Sequence, residues 1–184
     1  MVKKIATGLL AVALTSSLYA ENKSFIGMEL GYAFVQGDVG GFFPGDVIRD
    51  HKGSDIEYGV RMGAQNEEWR TTLSYNYFDA EENGIVQNYE KGLVALDYFY
   101  LFENKMDFQP FIGASVGYIN YESTNNIDMS GLIYGLETGI VFSVTDAIDI
   151  DLLYRYSLAN AAQDDRDASL DHVSSVVFGM NYTF

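Results

Sequence analysis

The sequence predicts an all-β fold, an eight-stranded antiparallel up-and-down transmembrane β-barrel, and three observations carry that prediction. Eight stretches alternate large apolar residues with small or polar ones at period two. The links between those stretches alternate in length, long then short. The aromatic residues gather at the two ends of the apolar face and leave aliphatic residues between them.

The first stretch, residues 24–35, sets Ile26, Met28, Leu30, Tyr32 and Phe34 against Gly27, Glu29, Gly31 and Ala33. The second, 55–65, sets Ile56, Tyr58, Val60 and Met62 against Glu57, Gly59, Arg61 and Gly63. The third, 69–78, opposes Trp69, Leu73, Tyr75 and Tyr77 to Arg70, Thr72, Ser74 and Asn76. The fourth, 92–102, opposes Val94, Leu96, Tyr98, Tyr100 and Phe102 to Ala95, Asp97 and Phe99. The fifth, 108–121, places Ile112, Val116 and Tyr118 opposite Phe111, Gly113 and Gly117, and the sixth, 132–143, places Leu132, Tyr134, Leu136, Ile140 and Phe142 opposite Gly135, Glu137 and Gly139. The seventh, 148–158, opposes Ile150, Leu152, Tyr154 and Tyr156 to Asp149, Asp151 and Arg155. The eighth, 172–184, alternates Val176, Phe178, Met180, Tyr182 and Phe184 with smaller residues and finishes on an aromatic ring. Each is about as long as a tilted strand needs to cross a bilayer, around 9–11 residues.

The long links fall at 36–54, 79–91, 122–131 and 159–171, and the short ones at 66–68, 103–107 and 144–147. Membrane barrels sort their connections this way because each rim meets a different compartment. With alternating strand direction, Tyr32, Phe34, Tyr58, Tyr75, Tyr77, Tyr118, Tyr134, Tyr154 and Tyr156 lie near the long-link rim. Trp69, Tyr100, Phe102, Phe108, Phe142, Tyr182 and Phe184 lie near the short-link rim. Two rings of amphipathic side chains at two heights suit the two interfaces of a membrane.

Alternation alone does not say which face is inside. The small face carries Gly27, Gly31, Gly59, Gly63, Gly113, Gly117, Gly135, Gly139 and Gly179. Glycine in a strand weakens it unless something must come close, and the interior of an eight-stranded barrel has just enough width for side chains to fill. The small face therefore points inward. It also carries Glu29, Glu57, Asp97, Glu137, Asp149 and Asp151 with Arg61, Arg70 and Arg155. The expected site is a polar lumen network of Glu29, Arg61, Arg70, Asp97, Glu137, Asp151 and Arg155, with Arg61 and Arg155 near its centre, held by charge-assisted hydrogen bonds. Glu57 and Asp149 are expected at the rims, in water. An aqueous channel requires about 16–18 strands, so the lumen is expected to be plugged; a small channel is the weaker alternative.

The chain opens with Lys3 and Lys4, an apolar run, and Ala20 before Glu21, the pattern of a cleavable signal peptide over residues 1–20 with the barrel domain in 21–184. There are no cysteines, which excludes disulfides, thiol catalysis and Cys-based metal sites. A net charge of -15 makes nucleic acid a poor partner. No cofactor is expected.

The chain resembles the small eight-stranded outer-membrane barrels of Gram-negative bacteria, the OmpX-like and OmpA-barrel-like proteins. The resemblance is one of pattern over 24–184, and its most specific piece is the last strand. There, Phe178, Met180, Tyr182 and the final Phe184 match the signal that the barrel-assembly machinery reads. The resemblance implies a cell outer-membrane location, lipid and lipopolysaccharide as neighbours, a monomer, and a structural or surface-interaction role through the links of the outer rim. Any extracellular ligand is left open by the resemblance.

Catalysis is weighed on one pair. His172 and Ser174 lie two apart and share a face, which loosely resembles the His-x-Ser pair of PagL-type lipid A deacylases. A hydrolase of that kind also needs an acid orienting the base. The family's Glu would fall at or beyond Tyr182–Phe184, and the adjacent Asp171 is expected to face the other way. His51 is expected in a solvated loop. Glu81, Glu82, Glu90, Asp164, Asp165, Asp167 and Asp171 give acidic links, suited to hard divalent cations or simply to solvation, and Phe42-Phe43-Pro44 is an apolar spot in the first link.

Overall fold

A computed structural model describes residues 23–39, 49–82, 85–100, 108–123, 127–163 and 168–184. Residues 1–22, which include the expected signal peptide, lie outside the described residues, as do Phe42, Phe43, Pro44, Phe102, Asp164, Asp165, Asp167 and the 103–107 link. The strands are β1 (Lys23–Val39), β2 (Arg49–Gln65), β3 (Trp69–Glu82), β4 (Ile85–Phe99), β5 (Phe108–Ser123), β6 (Ile127–Thr145), β7 (Ile148–Gln163) and β8 (Ala168–Thr183). Each pairs antiparallel with its neighbours in sequence, and β8 pairs with β1 to close the barrel. Closure matters in lipid, where no water is present to satisfy a free strand edge. The seam is tied at its end by two backbone bonds between Ser24 and Phe184, 3.1 and 2.8 Å.

The outward face holds the aliphatic and aromatic residues. Met28 is 59% exposed, Val60 57% and Leu136 63%, values that a soluble protein does not tolerate as a continuous band. The band therefore sits in a membrane. Its aromatic ends form pairs: Tyr32 with Phe34 at 5.1 Å and Tyr58 with Tyr77 at 5.3 Å on one rim, Trp69 with Tyr98 at 4.8 Å and Phe108 with Phe142 at 6.2 Å on the other.

The strands are longer than the membrane requires, and this corrects the expected boundaries. Pairing of β1 with β2 continues to Val39 and Arg49, of β3 with β4 to Glu82 and Ile85, of β5 with β6 to Ser123 and Ile127, and of β7 with β8 to Gln163 and Ala168. Most of each expected long link is thus a hairpin leg. His51, Glu81, Glu82 and Glu90, expected in loops, lie on strands. The physical reason is on the inner face. Ala33, Val35, Phe78, Ala80, Tyr89, Leu93, Ile119, Tyr121, Met129, Ile133, Ala161, Leu170 and Val173 are buried together inside the outer part of the barrel. An apolar core there rewards the strands for continuing, at roughly 1.5–3 kcal/mol per large side chain buried.

A bulge adjusts the alternation on β8. Gln36 pairs with His172 and Gly37 with Leu170, so the register skips Asp171; β7 skips it too. A bulge inserts one residue and shifts the face of everything beyond it. Leu170 thereby points into the apolar core, 2% exposed, and Asp171 is exposed. The expectation that Asp171 turns to the inner face is corrected by this extra residue.

Candidate functional site

The lumen has an arrangement that starts from two strands at a time. Asp97 on β4 faces Arg70 on β3 in the ladder, and Glu137 on β6 faces Arg155 on β7. Direct cross-strand opposition gives each carboxylate a guanidinium on the same face. Arg70 Nε donates to Asp97 Oδ2 at 2.9 Å and Arg155 Nε to Glu137 Oε2 at 2.6 Å. The remaining guanidinium nitrogens cross the lumen. Arg70 Nη1 donates to Asp151 Oδ2 at 2.8 Å, and Arg61 Nη2 reaches the same oxygen at 2.7 Å. Arg61 Nη1 and Arg155 Nη2 both approach Glu29 Oε1, at 3.4 and 3.6 Å.

The result is one chain of alternating charge: Asp97, Arg70, Asp151, Arg61, Glu29, Arg155, Glu137. The carboxyls at its two ends, Asp97 and Glu137, lie within hydrogen-bonding reach of each other, which closes the chain to a ring. All seven side chains are buried. Two neutral amides complete it: Asn76 Nδ2 donates to Glu29 Oε2 at 2.6 Å, and Asn181 Oδ1 accepts from Arg61 Nε at 2.7 Å. Burying one of these charges without a partner would cost several kcal/mol; the ring distributes three guanidiniums over four carboxyls.

Glycine makes the ring possible at two places. A Cβ on Gly179 would meet the guanidinium of Arg61, and one on Gly113 would meet Asp97 Oδ1. The chain runs close to these charged groups only because no side chain occupies that space.

A second buried pair was missed in the sequence. Lys91 Nζ donates to Glu57 Oε2 at 2.6 Å, and the hydroxyl of Tyr89 donates to the same oxygen. Glu57 is 1% exposed, which corrects its expected place at a wet rim. The polar stretch 79–91 reads as a link in the sequence, which places Lys91 outside the strands and leaves Glu57 without a facing cation. The signal was present: Gln87, Tyr89, Lys91 and Leu93 continue the inward parity of Ala95, Asp97 and Phe99 along β4. Tyr89 stacks on Phe78 with ring centroids 4.7 Å apart, which seats this pair against the apolar core of the outer end.

The short-link end differs. Phe99 and Phe111 are buried there with Val141, Leu153 and Val177, and the Arg70 guanidinium lies over the Phe111 ring at 4.6 Å, a cation–π contact. Below them a cavity of about 860 Å³ opens to the rim, lined by Gln65, Glu67, Glu68, Gln109, Asp146 and Asp149 among others. Asp149, expected in water, is 7% exposed and accepts from Gln65 Nε2 at 3.0 Å, Ser143 Oγ at 2.9 Å and Thr183 Oγ1 at 3.3 Å. The lumen thus runs from an apolar plug, through a charged ring, to an open polar vestibule.

His172 and Ser174 share the outward face near the upper aromatic ring. The His172 imidazole lies against Tyr156 at 5.4 Å, and Ser174 sits between Phe34 and Tyr156 in the ladder. Among the described residues the two do not hydrogen-bond to each other or to an acid. Phe178, Met180, Tyr182 and Phe184 lie on the exposed face of β8 and its end.

No protein-family model matches the chain, and no curated protein matches it. Solved structures do. Neisserial surface protein A superposes with a TM-score of 0.62 at 13% identity, covering 86% of this chain and 97% of that one. Outer membrane protein H of P. aeruginosa gives 0.57 at 20% identity over 88% and 99%. The outer membrane protein OprG of Pseudomonas aeruginosa gives 0.53 at 13% identity over 89% and 97%. The fold is that of the small eight-stranded outer-membrane β-barrels.

Proposed function

We propose that this protein is an integral barrel of the bacterial outer membrane with a structural or surface-interaction role, exerted by the hairpins that rise above the membrane band, and that its lumen is a plug rather than a pore. Lipid and lipopolysaccharide are its surroundings, and the barrel-assembly machinery reads its last strand through Phe178, Met180, Tyr182 and Phe184. The observation that carries the reading is the filled interior: a closed ring of seven charged side chains with an apolar core stacked above it. Transport needs a continuous wet path, and packed rings and methyl groups deny one. Catalysis needs an aligned base and nucleophile, whereas His172 packs on Tyr156.

The exterior hairpins present carboxylates. Asp79, Glu81, Glu90, Glu122 and Asp128 are exposed on the strand extensions above the aromatic ring. Charge of one sign favours cationic partners and resists aggregation. The test has two parts. The protein should float with outer-membrane fractions and migrate faster on a denaturing gel before heating than after; recovery in the soluble periplasmic fraction ends the reading. Purified protein in planar bilayers should give no discrete openings, and steady unitary conductance would return the channel alternative to first place.

A further inference from the structure

Most strand glycines line the lumen, where an added Cβ would strike a neighbour, as with Asp97 at Gly113 and Arg61 at Gly179. Gly92 on β4 differs. Lys91 and Leu93 on either side of it are buried, so Gly92 faces outward. A Cβ added there would meet no heavy atom within 4 Å. Among the described residues it is the one strand glycine on the lipid-facing side. Glycine weakens a strand unless something comes close to it, and no part of the described chain does.

Directly across the ladder from Gly92 stand Tyr75 on β3 and Tyr118 on β5. Those strands are two spacings apart, roughly 9–10 Å. The missing side chain therefore leaves a slot, one strand wide, between two rings of the outer aromatic row. Glu90 stands exposed at its upper end, and the hydroxyl of Tyr75 hydrogen-bonds its carboxylate. The other ring turns its hydroxyl elsewhere: Tyr118 donates to Ser130 Oγ at 3.0 Å. On this face Glu90 is surrounded by Tyr77, Asn88 and Asn120, none of them cationic. Leu73, Val94 and Val116 form the row beneath the slot, where the aliphatic band begins.

We propose that this slot seats the ammonium headgroup of a membrane lipid, with the cation between Tyr75 and Tyr118 against Glu90 and the acyl chains over Leu73, Val94 and Val116. An aromatic ring attracts a cation within about 6 Å of its centroid, and Glu90 supplies the opposite charge. The slot lies at the height of the aromatic row, where headgroups stand. A soluble amine gains the ring and carboxylate contacts but not the aliphatic row below. A headgroup that is only anionic meets Glu90 and, one row higher, Asp79, Glu122 and Asp128, which repel it.

The site rests on the reading that the apolar band lies in a membrane, and one experiment separates the two. A barrel that does not fold into lipid nanodiscs sinks that reading, whereas a folded barrel without a saturable site sinks this one. The protein is placed in phosphatidylglycerol nanodiscs with rising fractions of phosphatidylethanolamine, and backbone amide resonances are followed by NMR. The amides of Glu90, Gly92 and Val94 should shift saturably, while that of Val176, on the far wall, drifts linearly. Half-saturation should need at least about fivefold more lipid in Glu90→Gln and in Gly92→Leu, the scale of one exposed cation–π contact with one exposed ion pair. N-acetylated phosphatidylethanolamine keeps the chains and loses the ammonium, and should give no saturation. A linear response at Gly92, saturation by the N-acetylated lipid, unchanged half-saturation in Glu90→Gln, or the same shifts with soluble butylamine overturns the proposal. If Gly92→Leu does not fold, Glu90→Gln and the N-acetylated lipid decide.

Discussion

Arg70 shows what a single residue does in this lumen. Its Nε serves Asp97, its Nη1 serves Asp151, and its plane rests on Phe111. Lysine, with one compact charge, cannot make that set of contacts. Arg70→Met should leave Asp97 without its cation while Asp151 keeps Arg61. The expected loss is about 3–5 kcal/mol, the scale for breaking a buried ion pair from one side, read from urea unfolding in lipid vesicles. Asp149→Asn is the contrast. Asp149 is held by three neutral donors, so an amide of the same shape should cost no more than about 1 kcal/mol. A similar loss for both variants would mean that the ring adds nothing beyond ordinary hydrogen bonding.

At the scale of an element, β8 absorbs one extra residue. Asp171 is skipped by both neighbouring ladders, and this lets Leu170 face inward while His172 faces outward. Deleting Asp171 leaves Leu170 opposite Gly37 directly beside His172 opposite Gln36, so strict alternation keeps Leu170 inward. The deletion should leave the outer apolar core intact, whereas Leu170→Ala removes a side chain from it at about 2–5 kcal/mol. The expected outcome is faster protease cleavage in the 159–171 region for Leu170→Ala and the wild-type rate for the deletion. Faster cleavage of the deletion variant would show that the bulge itself holds the outer core.

For the whole molecule, the decisive asymmetry is between an apolar outside and a charged inside. Met28 lies in the lipid-facing band, between the two aromatic rings and directly opposite Val60 and Met180 in the ladder. Met28→Arg should cost about 2–4 kcal/mol, the penalty for a charge on the lipid face near mid-height. Its immediate sequence neighbour, Glu29, is charged and stabilising because it turns inward to Arg61 and Arg155. Folding yield into vesicles measures the difference. A silent Met28→Arg would mean that this face does not meet lipid.

Fold and site were legible to different depths. Period-two alternation fixes a side chain's face without reference to any partner, so Glu29, Arg61, Arg70, Asp97, Glu137, Asp151 and Arg155 could be placed on one inner surface from the sequence. Strand ends were less legible. Residues 79–91 are polar enough to read as a loop, yet 79–82 and 85–91 are strand, because β3 and β4 pair with each other, Gln87 to Lys91 pair with β5, and an apolar core lies on the inner face. Glu57 then changes from a rim residue to half of a buried ion pair, since its partner lies on β4 and not on an adjacent strand.

What the sequence determined by itself is the local periodicity: eight strands, their faces, their aromatic ends and the charge of the inner surface. What only the tertiary structure decided is which charges meet across the lumen, how far the hairpins rise, and where Asp171 breaks the alternation. Alternation is a property of the backbone at each residue, whereas distance across a closed barrel depends on the register of every strand between.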